Sequence, residues 1–251
     1  TSALDGVTGV RTNSIFQQTD DTPSYWWYQS DGTWKLDGSV VSNTDMLTSY
    51  TGYTGDTGSF EYNSSENGIE IIATTKNKII VKTLSTTLSK SGKWVARFKV
   101  TRLSGDVGDG WGMGFTSSST SSVSQIQAGG YAYGIAFYVN NGSSGGTANT
   151  TASAKNGTGG NDGSSSGNMT TNFSAGNTLY IEIRHISQTS FECSAFSDSG
   201  FSTKTGSVTR TVSEQDYDYD QLSFWTKWGT NRKDGLFEDL EVQNGFSEWQ
   251  E

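Results

Sequence analysis

Glu214, Asp216, Asp218 and Asp220 recur at every second position of the chain, with Tyr217 and Tyr219 among them. In extended backbone, alternate side chains share a face, so these carboxylates repel one another unless they are solvated or bridged by a cation. Asp216, Asp218 and Asp220 are therefore the candidate ligands for a bound Ca²⁺. The alternative is a solvated acidic edge, which discourages edge-to-edge pairing of sheets, and no glycine follows where an EF-hand loop needs one. Downstream, Trp225, Trp228 and Asn231 lie near the end of an alternating run, before a turn at Asp234-Gly235. Trp225 has the register opposite to Leu222. It reads either as an exposed stacking platform or as a side chain buried beneath the N-terminal segment.

Catalytic constellations are scarce. Glycoside hydrolysis needs two carboxylates roughly 5–10 Å apart across a cleft, and the Glu-X-Asp-X-X-Glu strand signature of sandwich-fold glucanases does not occur. Glu238, Asp239 and Glu241, or Glu61, Glu66 and Glu70, would pair only if the fold happened to join them. His185, the single histidine, sits beside Arg184 and reads as a surface or structural residue rather than a lyase base. Cys193 falls on an inward register, where a thiol behaves as a small buried hydrophobe. Nucleophile elbow, P-loop and dinucleotide fingerprints are all missing. The sequence reads as non-enzymatic, with no cofactor required.

The elements that must position these residues are strands. Trp94, Ala96, Phe98 and Val100 alternate with Val95, Arg97, Lys99 and Thr101; Leu179, Ile181 and Ile183 alternate with Tyr180, Glu182 and Arg184. Phe191, Cys193 and Ala195 repeat the habit, as do Leu222, Phe224 and Thr226, and Leu236, Leu240 and Val242 mark a last strand. Ile69–Ala73 and Lys78–Lys82 flank Thr74–Asn77 as an expected hairpin. No segment carries a 3.6-residue stripe of helical length. The fold class expected is all-β, a two-sheet antiparallel jelly-roll sandwich. Residues 1–45, with Trp26, Trp27 and Trp34, read as a small aromatic β-meander or assembly segment, and residues 46–251 as the sandwich. Residues 141–172, almost wholly Gly, Ser, Thr, Asn and other small types, read as a long surface loop.

Composition excludes several classes. The chain has 251 residues and a formal charge of -9, against the basic footprint that nucleic-acid binding requires. One Cys leaves no internal disulfide framework or Cys-rich zinc site. No apolar run approaches the ~20 residues of a membrane-spanning helix. The chain opens on Thr1 without a basic-then-apolar leader, which suits a processed or excised product. Asn63, Asn141, Asn149, Asn156, Asn168 and Asn172 head Asn-X-Ser/Thr glycosylation acceptors. High Ser, Thr and Gly with low Cys suit an extracellular microbial protein or a virion component.

The most informative segment runs from Trp94 to Phe115, through Ser104-Gly105-Asp106-Val107-Gly108 to Asp109-Gly110-Trp111-Gly112-Met113-Gly114-Phe115, and is followed by Tyr133-Gly134-Ile135-Ala136-Phe137-Tyr138-Val139-Asn140-Asn141. This pattern resembles concanavalin A-like domains, the legume and L-type lectins and their laminin-G-like relatives, over about residues 60–242. The resemblance implies that Asp109 is the acceptor for sugar hydroxyls and that Asn140 or Asn141 approximates the loop amide, with Trp111 packing on the C–H side of the sugar. It also implies a calcium-holding Asp directly after the Phe of the second strand, where this chain has Tyr138. The usual metal site is therefore expected to be missing. The alternative reading makes Asp106 and Asp109 turn residues, with Gly110, Gly112 and Gly114 relieving close packing.

The candidate ligand-binding set is Asp109, Trp111, Tyr138, Asn140, Asn141, Trp225 and Trp228. The leading expectation is a non-catalytic, extracellular lectin-like domain that binds a glycan or cell-surface polysaccharide, or mediates adhesion, on a cell-surface protein or virion appendage. Neither nucleic acid nor membrane insertion is expected. The alternative is a self-assembling structural subunit of a shell, fibre or filament, and a minor one is a polysaccharide hydrolase or lyase.

Overall fold

The computed structural model describes residues 15–18, 24–28, 34–41, 51–72, 78–103, 110–118, 134–141, 147–155, 168–211, 217–228 and 235–246. In chain order the strands are β1 (Ile15–Gln18), β2 (Ser24–Tyr28), β3 (Trp34–Val41), β4 (Tyr53–Gly55), β5 (Phe60–Asn63), β6 (Gly68–Ile71), β7 (Lys78–Leu88), β8 (Lys93–Arg102) and β9 (Gly110–Thr116). They continue as β10 (Gly134–Asn141), β11 (Thr147–Lys155), β12 (Asn168–Ser174), β13 (Thr178–Ser187), β14 (Ser190–Phe196), β15 (Lys204–Thr211), β16 (Tyr219–Trp228) and β17 (Gly235–Phe246). A single 3-10 turn at Thr57–Ser59 is the one helical element among the described residues.

The strands form two antiparallel sheets, as the alternation requires. One has ten strands, ordered β1-β2-β3-β17-β8-β13-β14-β15 with β5 and β6 attached beside β17; the other has seven, ordered β12-β11-β10-β9-β16-β7-β4. Their inward faces meet in one core. Trp94, Phe98 and Val100 of β8 face Trp111, Met113 and Phe115 of β9. Aromatic pairs cross the interface edge to face: Trp94 with Phe115 at 5.1 Å between centroids, Phe98 with Phe137 at 5.6 Å, and Phe224 with Phe237 at 5.2 Å. That geometry sets the positive ring edge against the negative ring face.

Three sequence expectations change here. Ile69–Ala73 and Lys78–Lys82 do not form a hairpin: β6 pairs with β5 and β17 in the ten-stranded sheet, whereas β7 pairs with β16 and β4 in the other. Alternation gives the face of a strand but not its partner. The expected loop at 141–172 contains two strands, β11 and β12, which form one margin of the seven-stranded sheet. Small polar side chains do not forbid pairing, because the ladder bonds are made by backbone. Finally, Phe237 rather than Leu236 joins the main core. Asp239 takes φ +53° where the β17–β8 register shifts between Glu238 and Glu241, and the extra residue reverses the alternation.

The meander β1–β2–β3 continues the ten-stranded sheet, through β3 pairing Val41, Val40 and Ser39 with Val242, Gln243 and Asn244 of β17. On the opposite flank the margins of the two sheets come together. Arg210 of β15 donates from Nε to the Ala152 carbonyl of β11 at 3.0 Å, tying one sheet to the other.

Candidate functional site

One end of the sandwich collects the residues that the sequence singled out. β8 ends there at Arg102, β9 begins at Gly110, β10 ends at Asn141 and β16 ends at Trp228. Register places Asn140 opposite Gly110 on one side and Asn149 on the other, and Gly110 opposite Trp228. Adjacent strands lie about 4.8 Å apart, so Asn140, Gly110 and Trp228 occupy neighbouring positions in one row. Asp109 directly precedes Gly110 in sequence and lies outside the described residues, as do Asp216 and Asn156.

Trp111 is not a ligand-facing ring. It is 1 % exposed, packs edge to face on Phe237 at 5.5 Å, and shares the inward register of Met113 and Phe115. Its neighbours Gly110, Gly112 and Gly114 therefore take the outward face. At Gly112 a Cβ would come within 2.7 Å of the Trp225 ring and 2.3 Å of the Phe137 carbonyl. The glycine relieves close packing, as the alternative sequence reading has it.

Trp225 does point away from the main core, as its register requires, but it is no open platform. It is 3 % exposed and clusters with Ile79, Val81 and Ala136, with Tyr138 packed against them. The N-terminal strands β1–β3 belong to the other sheet. Tyr138, half-buried in this apolar setting, offers a phenol where the resemblance implies a calcium-holding carboxylate. These residues do not fit a Ca²⁺ ion.

Two members of the acidic ladder lie within the described residues and accept hydrogen bonds. Asp218 accepts the Lys90 N–H at 2.8 Å, and Asp220 accepts the Ser118 N–H at 2.6 Å together with the Ser118 hydroxyl. Both carboxylates hold neighbouring turns against the start of β16. Among the described residues, no group of three His, Cys, Asp or Glu side chains comes together to hold a metal ion.

Several other titratable groups are packed or ion-paired. His185 stacks on Trp94 at 5.1 Å with nearly parallel rings, and its Nδ1 lies 2.6 Å from the Gly92 carbonyl. Burial lowers its pKa, so the ring is neutral and Nδ1–H donates. Burial pushes the Cys193 thiol far up, away from thiolate chemistry. Glu182 is gripped by Arg97 and Arg184, each at 2.6 Å, and Lys99 meets Glu238 at 2.7 Å. Burial raises the Glu238 pKa, while hydrogen bonding to Glu238 raises that of Lys99. Glu182 and Glu238 are thus held by cations, whereas Glu61 and Glu70 stand opposite each other across β5 and β6.

Sequence reasoning missed Arg102 and Asn177. Arg102 is buried at the end of β8, and its guanidinium donates to the Phe173 carbonyl of β12 in the other sheet. Asn177 stands on the turn between β12 and β13 beside it. The step Gly176-Asn177 before an alternating run is a turn signal, but it carries no hint of the partner strand.

No protein-family model matches this sequence, and no curated protein does. Solved structures do share its fold. A CBM2 module of Lactobacillus casei BL23 phage J-1 evolved Dit superposes with a TM-score of 0.54 at 12% identity, covering 85% of this chain and 99% of that one. Lectin II from Ulex europaeus gives 0.51 at 10% identity, covering 77% and 92%. Peanut lectin gives 0.51 at 10% identity, covering 80% and 97%. The chain has the two-sheet jelly-roll fold that these concanavalin A-like structures share.

Proposed function

We propose that this domain is a non-catalytic, lectin-like unit that binds a glycan at the end of the seven-stranded sheet where β9, β10 and β16 meet. The observation that carries the reading is the register: Asn140, Gly110 and Trp228 share one row, with Asp109 next in sequence to Gly110. A carboxylate accepts from sugar hydroxyls, and an amide both accepts from and donates to them. Two of the similar structures are lectins by name and a third is a carbohydrate-binding module by name, which supports the reading. The phage origin of that module supports a place on a virion appendage, with an extracellular surface protein as the other setting. Among the described residues no helix is long and apolar enough to cross a membrane.

Glycan arrays followed by affinity electrophoresis test this. Asp109→Ala is expected to weaken binding about 30-fold, the loss of about 2 kcal/mol from a charge-assisted hydrogen bond. An array blank across broad panels, with size measurement revealing a stable polymer, would overturn the reading in favour of a shell or fibre subunit. Release of reducing ends from a bound polysaccharide would overturn its non-catalytic part.

A further inference from the structure

Where β12 turns into β13, the seam between the sheets opens into a groove of about 610 Å³, within the ~300–1,000 Å³ common for small-ligand sites. Its floor is apolar, with Phe173 and Met169 buried and Leu179 half-buried. Its walls carry Asn172, Asn177, Thr178, Ser197 and Thr205, and none of the described lining residues is ionisable. The side-chain amides of Asn172 and Asn177 are exposed, and neither bonds another described residue. Thr178 shares a hydrogen bond with Thr101 at 2.9 Å, and Thr205 donates to the Ala195 carbonyl at 3.0 Å. Each hydroxyl oxygen keeps acceptor capacity toward the groove.

The amides stand on a braced turn. Gly176, at φ +82°, supplies the left-handed residue that lets the chain reverse. Its N–H donates to the Arg102 carbonyl at 2.8 Å, and the Arg102 N–H donates to the Asn177 carbonyl at 3.0 Å. The Arg102 side chain holds the floor through the Phe173 carbonyl. Arg102 is thus a positioning residue for the groove.

We infer that this groove is a second subsite, which takes an uncharged stretch of glycan beyond the sugar held at the β9–β10 end. The inference rests on the glycan-binding reading and extends it. Neutral amides and hydroxyls over an apolar floor suit a ring with hydroxyl edges and C–H faces. Described lining residues that include no cation, on a chain of formal charge -9, disfavour uronate or sulfated polymers. The two places are near one another in register: Asn141 pairs with Ala148, and Ala148 with Phe173, so the backbone of the groove floor lies two strands away, about 10 Å.

The test titrates the full chain with neutral gluco-, manno- and galacto-oligomers of graded length, and with oligouronates. Two variants alter the groove at exposed positions, Asn172→Ala with Asn177→Ala, and Ser197→Trp, which fills it; thermal midpoints confirm folding. Both are expected to lose about tenfold or more in affinity for neutral trimers and longer while leaving the monosaccharide unchanged. Asp109→Ala should weaken every length. If both groove variants keep wild-type affinity for all neutral oligomers while Asp109→Ala loses it, the subsite is refuted and the glycan-binding reading stands. Tighter binding of uronates than of neutral oligomers also refutes the inference. A wild-type chain that binds no sugar of any length refutes both.

Discussion

Gly206 of β15 lies against Met169 of β12 so closely that a Cβ on Gly206 would fall 1.6 Å from the Met169 carbonyl oxygen. The contact joins the ten-stranded sheet to the seven-stranded one at the flank where the groove opens. Backbone stands on both sides of the clash, so no flexible side chain can move aside. Gly206→Ala is expected to cost about 3 kcal/mol or more, the upper range for overpacking, and to widen the seam. Chemical denaturation of the two proteins measures this, and equal midpoints would contradict it.

Trp111 separates a packing role from a binding role. Its ring fills the core against Phe237, and it leaves little room at Gly235, where a Cβ would lie 2.3 Å from the indole. Trp111→Ala should destabilise the fold by about 3–5 kcal/mol. Trp111→Phe, which keeps an apolar ring, should fold and retain glycan affinity within about twofold. A large selective loss of affinity in a stable Trp111→Phe protein would restore the ring to the binding set.

His185 makes stability depend on pH. Its folded pKa is lowered by burial from the ordinary value of 6.5, so the unfolded chain binds a proton first as pH falls. Its neutral ring therefore favours the native state above about pH 6.5, and that contribution declines below it until the folded pKa is reached. Thermal midpoints of the wild type and His185→Gln, compared at pH 7.5 and 5.0, should show the steeper loss in the wild type. Parallel losses would mean that the ring protonates as easily folded as unfolded.

The glycosylation acceptors are not equivalent. Asn63 uses Oδ1 to accept the Ser65 N–H at 3.1 Å and the Ser65 hydroxyl at 2.7 Å, and it donates from Nδ2 to Glu70 at 2.9 Å. Asn172 is exposed, and its amide is uncommitted among the described residues. After expression in a glycosylating host, peptide mapping should find Asn172 modified more than Asn63. The reverse order would show that the Asn63 turn opens readily.

Much of the fold was legible because side-chain alternation is local. Trp94, Ala96, Phe98 and Val100 declare an inward face without reference to any other strand, and the all-β sandwich follows from several such runs. Leu222 and Phe224 against Trp225 gave the correct faces for the same reason. The candidate site was legible only as a resemblance around Asp109-Gly110. Periodicity carries no information about which strand lies beside which, so the predicted Ile69–Lys82 hairpin became a crossover between sheets. The small polar residues of 147–155 and 168–174 concealed two paired strands.

By itself, then, the sequence determined the strand faces, the absence of a basic footprint and the poverty of catalytic groups, because these depend on residue type and local spacing. Tertiary structure alone decided that Trp111 is core, that Asp218 and Asp220 brace turns, and that Arg102 holds a neutral groove open beside Phe173. Those outcomes depend on contacts between segments far apart in the chain, Arg102 with Phe173 and Gly206 with Met169 among them. Such contacts form only when both sheets have closed over one core.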